Sequence, residues 1–404
     1  MRAISYNNTD PLEVKHPACY KRITFSFNRS SELPKAQVLL RRVRSATQSR
    51  LWRMQHPYKN FPDKNYWNKS VGFRDYAEIS SLWTPKFTIS KKDQTITAGS
   101  CFAQHMSKAM REAGFRWLNC EPAPKYLYPD QAKAFNYGIY SFRTSNIYTA
   151  SALKQWIIWA EDRGETIKDR YWSDGERFFD PFRPTIEPGG FCSLIELEAS
   201  RQTVLRAIRK AIRKADLFVF TLGLTESWVH KETGEVYAVC PGTAAGTFDE
   251  AQHIFSNADY PSILDDMKFV IEFIRRINPR IRFLLTVSPV PLVATASDQH
   301  VLPATIYSKS VLRAVAGNLE QTFPFVDYFP SYEIVSAFPF KGDFFKENLR
   351  SVTPDGVAFV MRHFIGALID GETDQCPSHA EANPVVDMNE DDTVVCEELF
   401  LEKK

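Results

Sequence analysis

The sequence predicts a three-layer α/β/α fold built on a doubly wound parallel sheet of about five strands. Two kinds of segment alternate along residues 87–369. Continuous apolar runs of buried-strand length, LFVFTLGL and RFLLTVSPVPL, are separated by segments with apolar residues at helical spacing. Strands that alternate with helices form parallel sheets covered on both faces.

The first core strand is expected at Thr95 to Ala98, after a shorter β-like run from Phe87 to Ser90. It breaks at Gly99 and leads into a helix, FAQHMSKAMREAG, that ends at Gly114. In SRQTVLRAIRKAIRKAD, the apolar residues Val204, Leu205, Ile208, Ala211 and Ile212 mark one buried face. LFVFTLGL then supplies the second buried strand. SILDDMKFVIEFIRRI and the RFLLTVSPVPL strand follow, then SKSVLRAVAGNLEQTF and a strand-like FVDYFPSYEIV, and last DGVAFVMRHFIGALI. Residues 120–195 are aromatic and rich in Gly and Pro, and read as an irregular insertion over the strand ends.

Hydrophobic residues make up 44% of the 404 and charged residues 24%, which is ordinary for a globular protein. A net charge of +2 argues against a nucleic-acid coating role. The charge is unevenly placed. Residues 1–60 carry 12 Lys/Arg against 3 Asp/Glu and read as a basic extension, while residues 371–404 carry 2 against 10 and read as an acidic, disordered or loosely docked tail. Residues 61–370 form the expected domain. No apolar run is long enough for a membrane helix and no secretory leader is apparent, so the expected location is cytoplasmic. Seven cysteines at irregular spacing, with no CxxC pair, indicate neither a disulfide framework nor a zinc site. No metal or cofactor is expected, and the absence of a glycine-rich phosphate loop disfavours a nucleotide-binding reading.

Ligands of open parallel sheets bind beyond the carboxyl ends of the strands. There the sequence places Gly99-Ser100-Cys101, then Gly223-Leu224-Thr225-Glu226, then a loop with Asp298 and His300. A serine at a strand–helix junction projects its hydroxyl from the sheet edge, and the helix N-terminus offers amides to an oxyanion. Gly99 allows the tight turn. Cys101 reads as a small buried hydrophobe.

TAGSCFA (97–103) resembles the motif that names the GSCFA family, and FTLGLTESW, TVSPVPL, YSKSVLRAV and YFPSYEIV resemble that family's later blocks. The family is similar to the SGNH or GDSL-like hydrolases, whose flavodoxin-like sheet carries a nucleophilic serine at the first strand end. The resemblance implies a serine-dependent acyl esterase or O-acyltransferase, acting on a small-molecule or glycan acyl ester. It puts Ser100 at the nucleophile position and Gly223 to Glu226 at the Gly-x-Asn-Asp block, with Thr225 where that block has asparagine. Gly138 and Asn146, in NYGIYSFRTSNIYT, are the candidates for further oxyanion donors. The Asp-x-x-His pair that activates the serine in such enzymes is missing, since its positions fall near Asn348 and Ser351. His300 is then the preferred base, with His230 or Glu226 as alternatives; His105 and His363 read as rim or packing residues. The competing reading is a non-catalytic SGNH-like module that binds a carbohydrate or other ligand.

Overall fold

A computed structural model describes residues 56–167, 170–370 and 394–401. The chain divides into two compact units, residues 1–62 and 63–404, and the second is described here. Most of the basic extension lies outside the described residues.

Four parallel strands form the central sheet: β1 (Thr95–Gly99), β2 (Leu217–Leu222), β3 (Arg282–Val287) and β4 (Val326–Phe329), side by side in that order. Their register runs from Thr95 opposite Leu217, through Leu217 opposite Arg282, to Phe283 opposite Val326. Nearly every strand residue is buried, as expected for a sheet covered on both faces. The fifth strand is reduced to a single parallel bridge. Outside β1, the Thr95 N–H donates to Arg116 O (2.9 Å) and the Leu118 N–H to Thr95 O (2.8 Å). Residues 116–118 therefore hold the place of a second strand on the far side of β1. The chain reverses direction across the sheet at β1, and a cleft opens at such a reversal.

Side-chain alternation sorts the two faces. Ile96, Phe218, Phe220, Phe283 and Leu285 pack under α2 (Ala150–Glu161), α3 (Leu194–Lys214), α4 (Tyr260–Ile277) and α5 (Val301–Thr322). Leu217, Val219, Leu284 and Phe329 pack against α1 (Phe102–Glu112) and, beyond α6 (Ser331–Ser336), α7 (Pro354–Asp370). The five apolar positions read in the 200–215 segment are all buried on α3. Ser193, Thr149 and Asp259 cap α3, α2 and α4 with side-chain oxygens on helix amides.

Four expectations need correction. The 120–195 segment is not irregular throughout: α2 buries Leu153, Trp156, Ile157 and Ala160 against the sheet-facing core. Those positions follow helical spacing, but the surrounding Gly and Pro masked them. The helix expected from Ser308 starts at Val301, so His300 is its cap rather than a loop residue. SYEIV continues as α6 rather than as strand, because Pro330 ends β4. In the acidic tail, Glu397–Leu401 form a 3-10 turn with both glutamates buried, so this part is not structureless. Among the described residues, no helix is long and apolar enough to cross a membrane.

Candidate active site

The site is assembled where β1 ends. Gly99 has φ +132°, and a side chain there would run into the Thr221 carbonyl, so only glycine lets β1 turn this close to β2. Ser100 follows, 2% exposed, and its N–H donates to Thr221 O at 3.0 Å. That amide is therefore occupied. Among the described residues, the Cys101 and Phe102 amides, which precede the first bonds of α1, meet no backbone carbonyl. The Ser100 hydroxyl has no hydrogen-bond partner among the described residues.

Two other segments close on Ser100. The Ile147 N–H donates to Gly99 O (2.8 Å), which lays Asn146–Tyr148 along the end of β1. Gly223 and Leu224 both donate to Tyr148 O, at 3.0 and 2.9 Å. A Cβ at Gly223 would lie 2.9 Å from Ser100 Cβ, so glycine is needed for this contact.

On its other side, the Gly223 carbonyl accepts from the Lys309 ammonium at 2.8 Å. Lys309 is 1% exposed on α5, and burial pulls its pKa down to about 8. The neighbouring Ser308 Oγ accepts from the Thr225 N–H at 3.2 Å, which fixes the 223–225 turn against α5. The Thr225 hydroxyl is buried without a partner among the described residues.

The segment around Asn348 and Ser351 takes a different part. Asn348 and Ser351 bond to each other in a turn (Nδ2 to Oγ, 3.1 Å), and this turn delivers Arg350 to the cleft. Arg350 donates to Pro291 O (3.2 Å) and to Glu398 (3.2 Å).

Glu398 belongs to the C-terminal segment, which lies in the cleft. Gln104, one turn along α1 from Ser100, pairs with the Val395 backbone in both directions, at 2.7 and 3.1 Å. The Asn146 amide donates to Val395 O (2.8 Å) and to the Glu397 carboxylate. The Tyr148 hydroxyl donates to Glu397 at 2.9 Å. Burial raises the pKa of Glu397, and lifts that of Glu398 to about 7 against the pull of Arg350. The Cys101 thiol donates a hydrogen bond to the Cys396 sulfur, and this bond with Arg350 draws the Cys396 pKa down to about 5 while that of Cys101 rises.

Of the residues singled out from sequence, the structure brings Ser100, Asn146, Gly223 and Thr225 together. It leaves the others elsewhere. His300 is exposed, its Nδ1 accepts the Leu302 N–H (3.1 Å), and nine residues of α5, about 13 Å of rise, separate it from Lys309. His230 lies on the antiparallel hairpin Glu226–His230/His253–Asn257, its ring against His253. Gly138 is a left-handed turn residue whose carbonyl accepts from Arg111. Glu226 accepts from Thr295 (2.7 Å), and its pKa is raised by burial. It faces a neighbouring cavity of about 290 Å³ lined by Trp156, Phe182, Leu224, Trp228, Tyr237 and Phe255. No Ser–His–Asp triad and no metal-holding cluster forms among the described residues.

Sequence reasoning missed Lys309, Arg350, Gln104 and Tyr148. Lys309 stands inside YSKSVLRAV, where it read as one more polar residue of a helix. Its burial was the signal, and spacing on α5 could have shown it: Ala304, Ser308, Leu312 and Val315 line the same buried face.

This geometry has a family context. The sequence profile of the GSCFA family matches residues 94–364, and the chain belongs to that family. The match spans every segment of the domain that forms the site, from β1 to α7, and stops short of the tail that fills it. No curated protein matches the chain.

Proposed function

We propose that the chain is a serine-dependent acyl esterase or O-acyltransferase, with Ser100 as nucleophile and Lys309 as base. One observation carries this reading. A buried, unpartnered serine hydroxyl sits at a strand–helix junction against Gly223, and the carbonyl of that glycine holds a buried amine. With a pKa of about 8, roughly a tenth of Lys309 is neutral at pH 7, enough to accept a proton.

In this mechanism the Ser100 proton passes to the Lys309 amine as Oγ attacks the acyl carbonyl. The oxyanion is met by the first amides of α1 and, with Glu397 displaced, by the Asn146 amide. Collapse expels the alcohol, which takes the proton back from Lys309 and leaves acyl-Ser100. Water or a sugar hydroxyl then attacks, giving hydrolysis or transfer. The aromatic cavity suits the apolar face of a sugar or an acyl chain, consistent with an acylated glycan.

A fluorophosphonate probe tests this reading: Oγ bonds to phosphorus and fluoride leaves. Labelling is expected at Ser100, lost in Ser100→Ala and slowed in Lys309→Met. Absence of labelling, with the tail seated or displaced, would return the protein to the ligand-binding reading.

A further inference from the structure

Acidic side chains are almost never fully buried unless paired, yet the C-terminal turn buries two in succession, Glu397 at 1% and Glu398 at 8% exposure. The groups that receive them are not part of the tail. Asn146 and Tyr148 come from the segment along β1 and Arg350 from the turn before α7, while Lys309 of α5 lies within electrostatic reach of Glu398. Arg350 is anchored on Pro291 O and Lys309 on Gly223 O. Asn146 is fixed by Gln104, whose amide donates to its Oδ1 at 3.1 Å. The domain therefore presents a built acid-binding cleft: an amide and a phenol at one end and a guanidinium at the other.

We propose that the cleft over Ser100 is a carboxylate-recognition site, that the Glu397–Glu398 turn is its tethered occupant, and that its substrates are esters whose acyl group bears an acid. The substrate part rests on the acyl-transfer reading; the binding part does not. The seated turn closes the site in two ways. Its backbone and Glu397 take the Asn146 amide that the oxyanion needs. Glu398 places a carboxylate by Lys309 and favours the charged form of the amine, which cannot act as base. An acid-bearing ligand competes for Arg350 and releases the turn, so the substrate opens the site it uses.

Two measurements on the full-length protein test this. In hydrogen exchange, millimolar glutarate is expected to speed exchange of the 394–401 amides about fivefold or more, whereas glutaramide, its neutral isostere, has no effect. This arm needs no catalysis. In fluorophosphonate labelling, the double variant Glu397→Arg/Glu398→Arg, which sets cations against Arg350 and Lys309, should label about tenfold faster than wild type. Glutarate should then slow its labelling, and glutaramide should not. Equal effects of glutarate and glutaramide, or unchanged exchange, would overturn the recognition site. Slower labelling of the double variant would show that the turn completes the site rather than closing it, and would overturn the tethered-occupant inference. If exchange responds to glutarate while Ser100 labels in no form, the binding site stands and the acyl-transfer reading falls. Glu397→Gln/Glu398→Gln, a smaller change, guards against misfolding of the double arginine variant and should label at an intermediate rate.

Discussion

Asp180 and Lys309 are both enclosed charges, but they are compensated in opposite ways. Asp180 receives Arg183 Nε at 2.8 Å and Arg201 at 3.2 Å, and the remaining guanidinium groups reach Arg143 O, Ile167 O, Arg170 O and Ser200. All of these partners belong to the folded domain. Burial alone would push the Asp180 carboxyl upward, but the two arginines outweigh it and bring its pKa to about 2. At Lys309 burial prevails instead, and the pKa falls to about 8. The carboxylate acting on it is Glu398, which reaches the cleft at the end of the chain. A cluster closed by its own domain secures the fold. The carboxylate acting on Lys309 comes instead from the C-terminal turn, and under the proposed function this contrast separates structural from functional buried charge.

The largest expected effect breaks function without touching the fold. Ser100→Ala should abolish fluorophosphonate labelling, a loss of roughly 10³-fold or more, as expected for a nucleophile within a concerted unit. Its melting temperature should stay near that of wild type, because the hydroxyl has no partner to lose among the described residues. A large drop in stability would mean that Ser100 is a structural cap.

Asp180→Ala is the converse test. It strands two buried arginines and should cost about 3–5 kcal/mol in denaturant unfolding. The labelling rate per folded molecule should not change. If that rate falls in proportion to stability, the two clusters are not separable.

Lys309→Met should slow labelling by about a hundredfold, the usual contribution of a general base. It should also stabilise the fold modestly, since an isosteric apolar side chain removes the cost of burying an amine. In wild type, labelling should rise with pH around the Lys309 value of about 8. Displacing Glu398 should shift that midpoint downward. A flat profile would exclude the amine as base.

Stability should rise with pH at both clusters, but in windows far apart. The Asp180 contribution, about 2 kcal/mol by its lowered pKa, is complete above the ordinary carboxylate value of 3.8 and is lost as pH falls through about 2. Lys309 titrates below its ordinary value of 10.5, so the unfolded chain binds more protons between about 8 and that value, and stability rises with pH across this window. The smallest effect is reserved for His300→Ala. It should cost about 1 kcal/mol or less of helix capping and leave labelling within about twofold. A severe loss of labelling would restore His300 as the base.

Several parts of this protein were legible in sequence because they depend on local periodicity. The apolar runs at 217–222 and 282–287 have the length of buried strands, and the spacing of Val204, Leu205, Ile208, Ala211 and Ile212 fixes one helical face. The turn at Gly99 put Ser100 at a strand end, where a parallel sheet exposes its chemistry. The acidic tail misled for a related reason. Averaged over 371–404 its composition is polar, and what docks is two of its acids: Glu397 and Glu398 are buried while Leu399 and Leu401 stay exposed.

Tertiary structure alone decided which groups meet Ser100. Tyr148, Gly223, Lys309, Arg350 and Glu398 lie from 48 to nearly 300 positions further along the chain, and no periodicity relates residues so far apart. The serine's position follows from the backbone path of one strand and one turn, which neighbouring residues dictate. The base, the acid-binding cleft and the tethered occupant proposed for it follow from how helices and a terminal turn pack around the sheet edge. There burial sets the charge of Lys309 and Glu398, and burial is a property of the assembled fold.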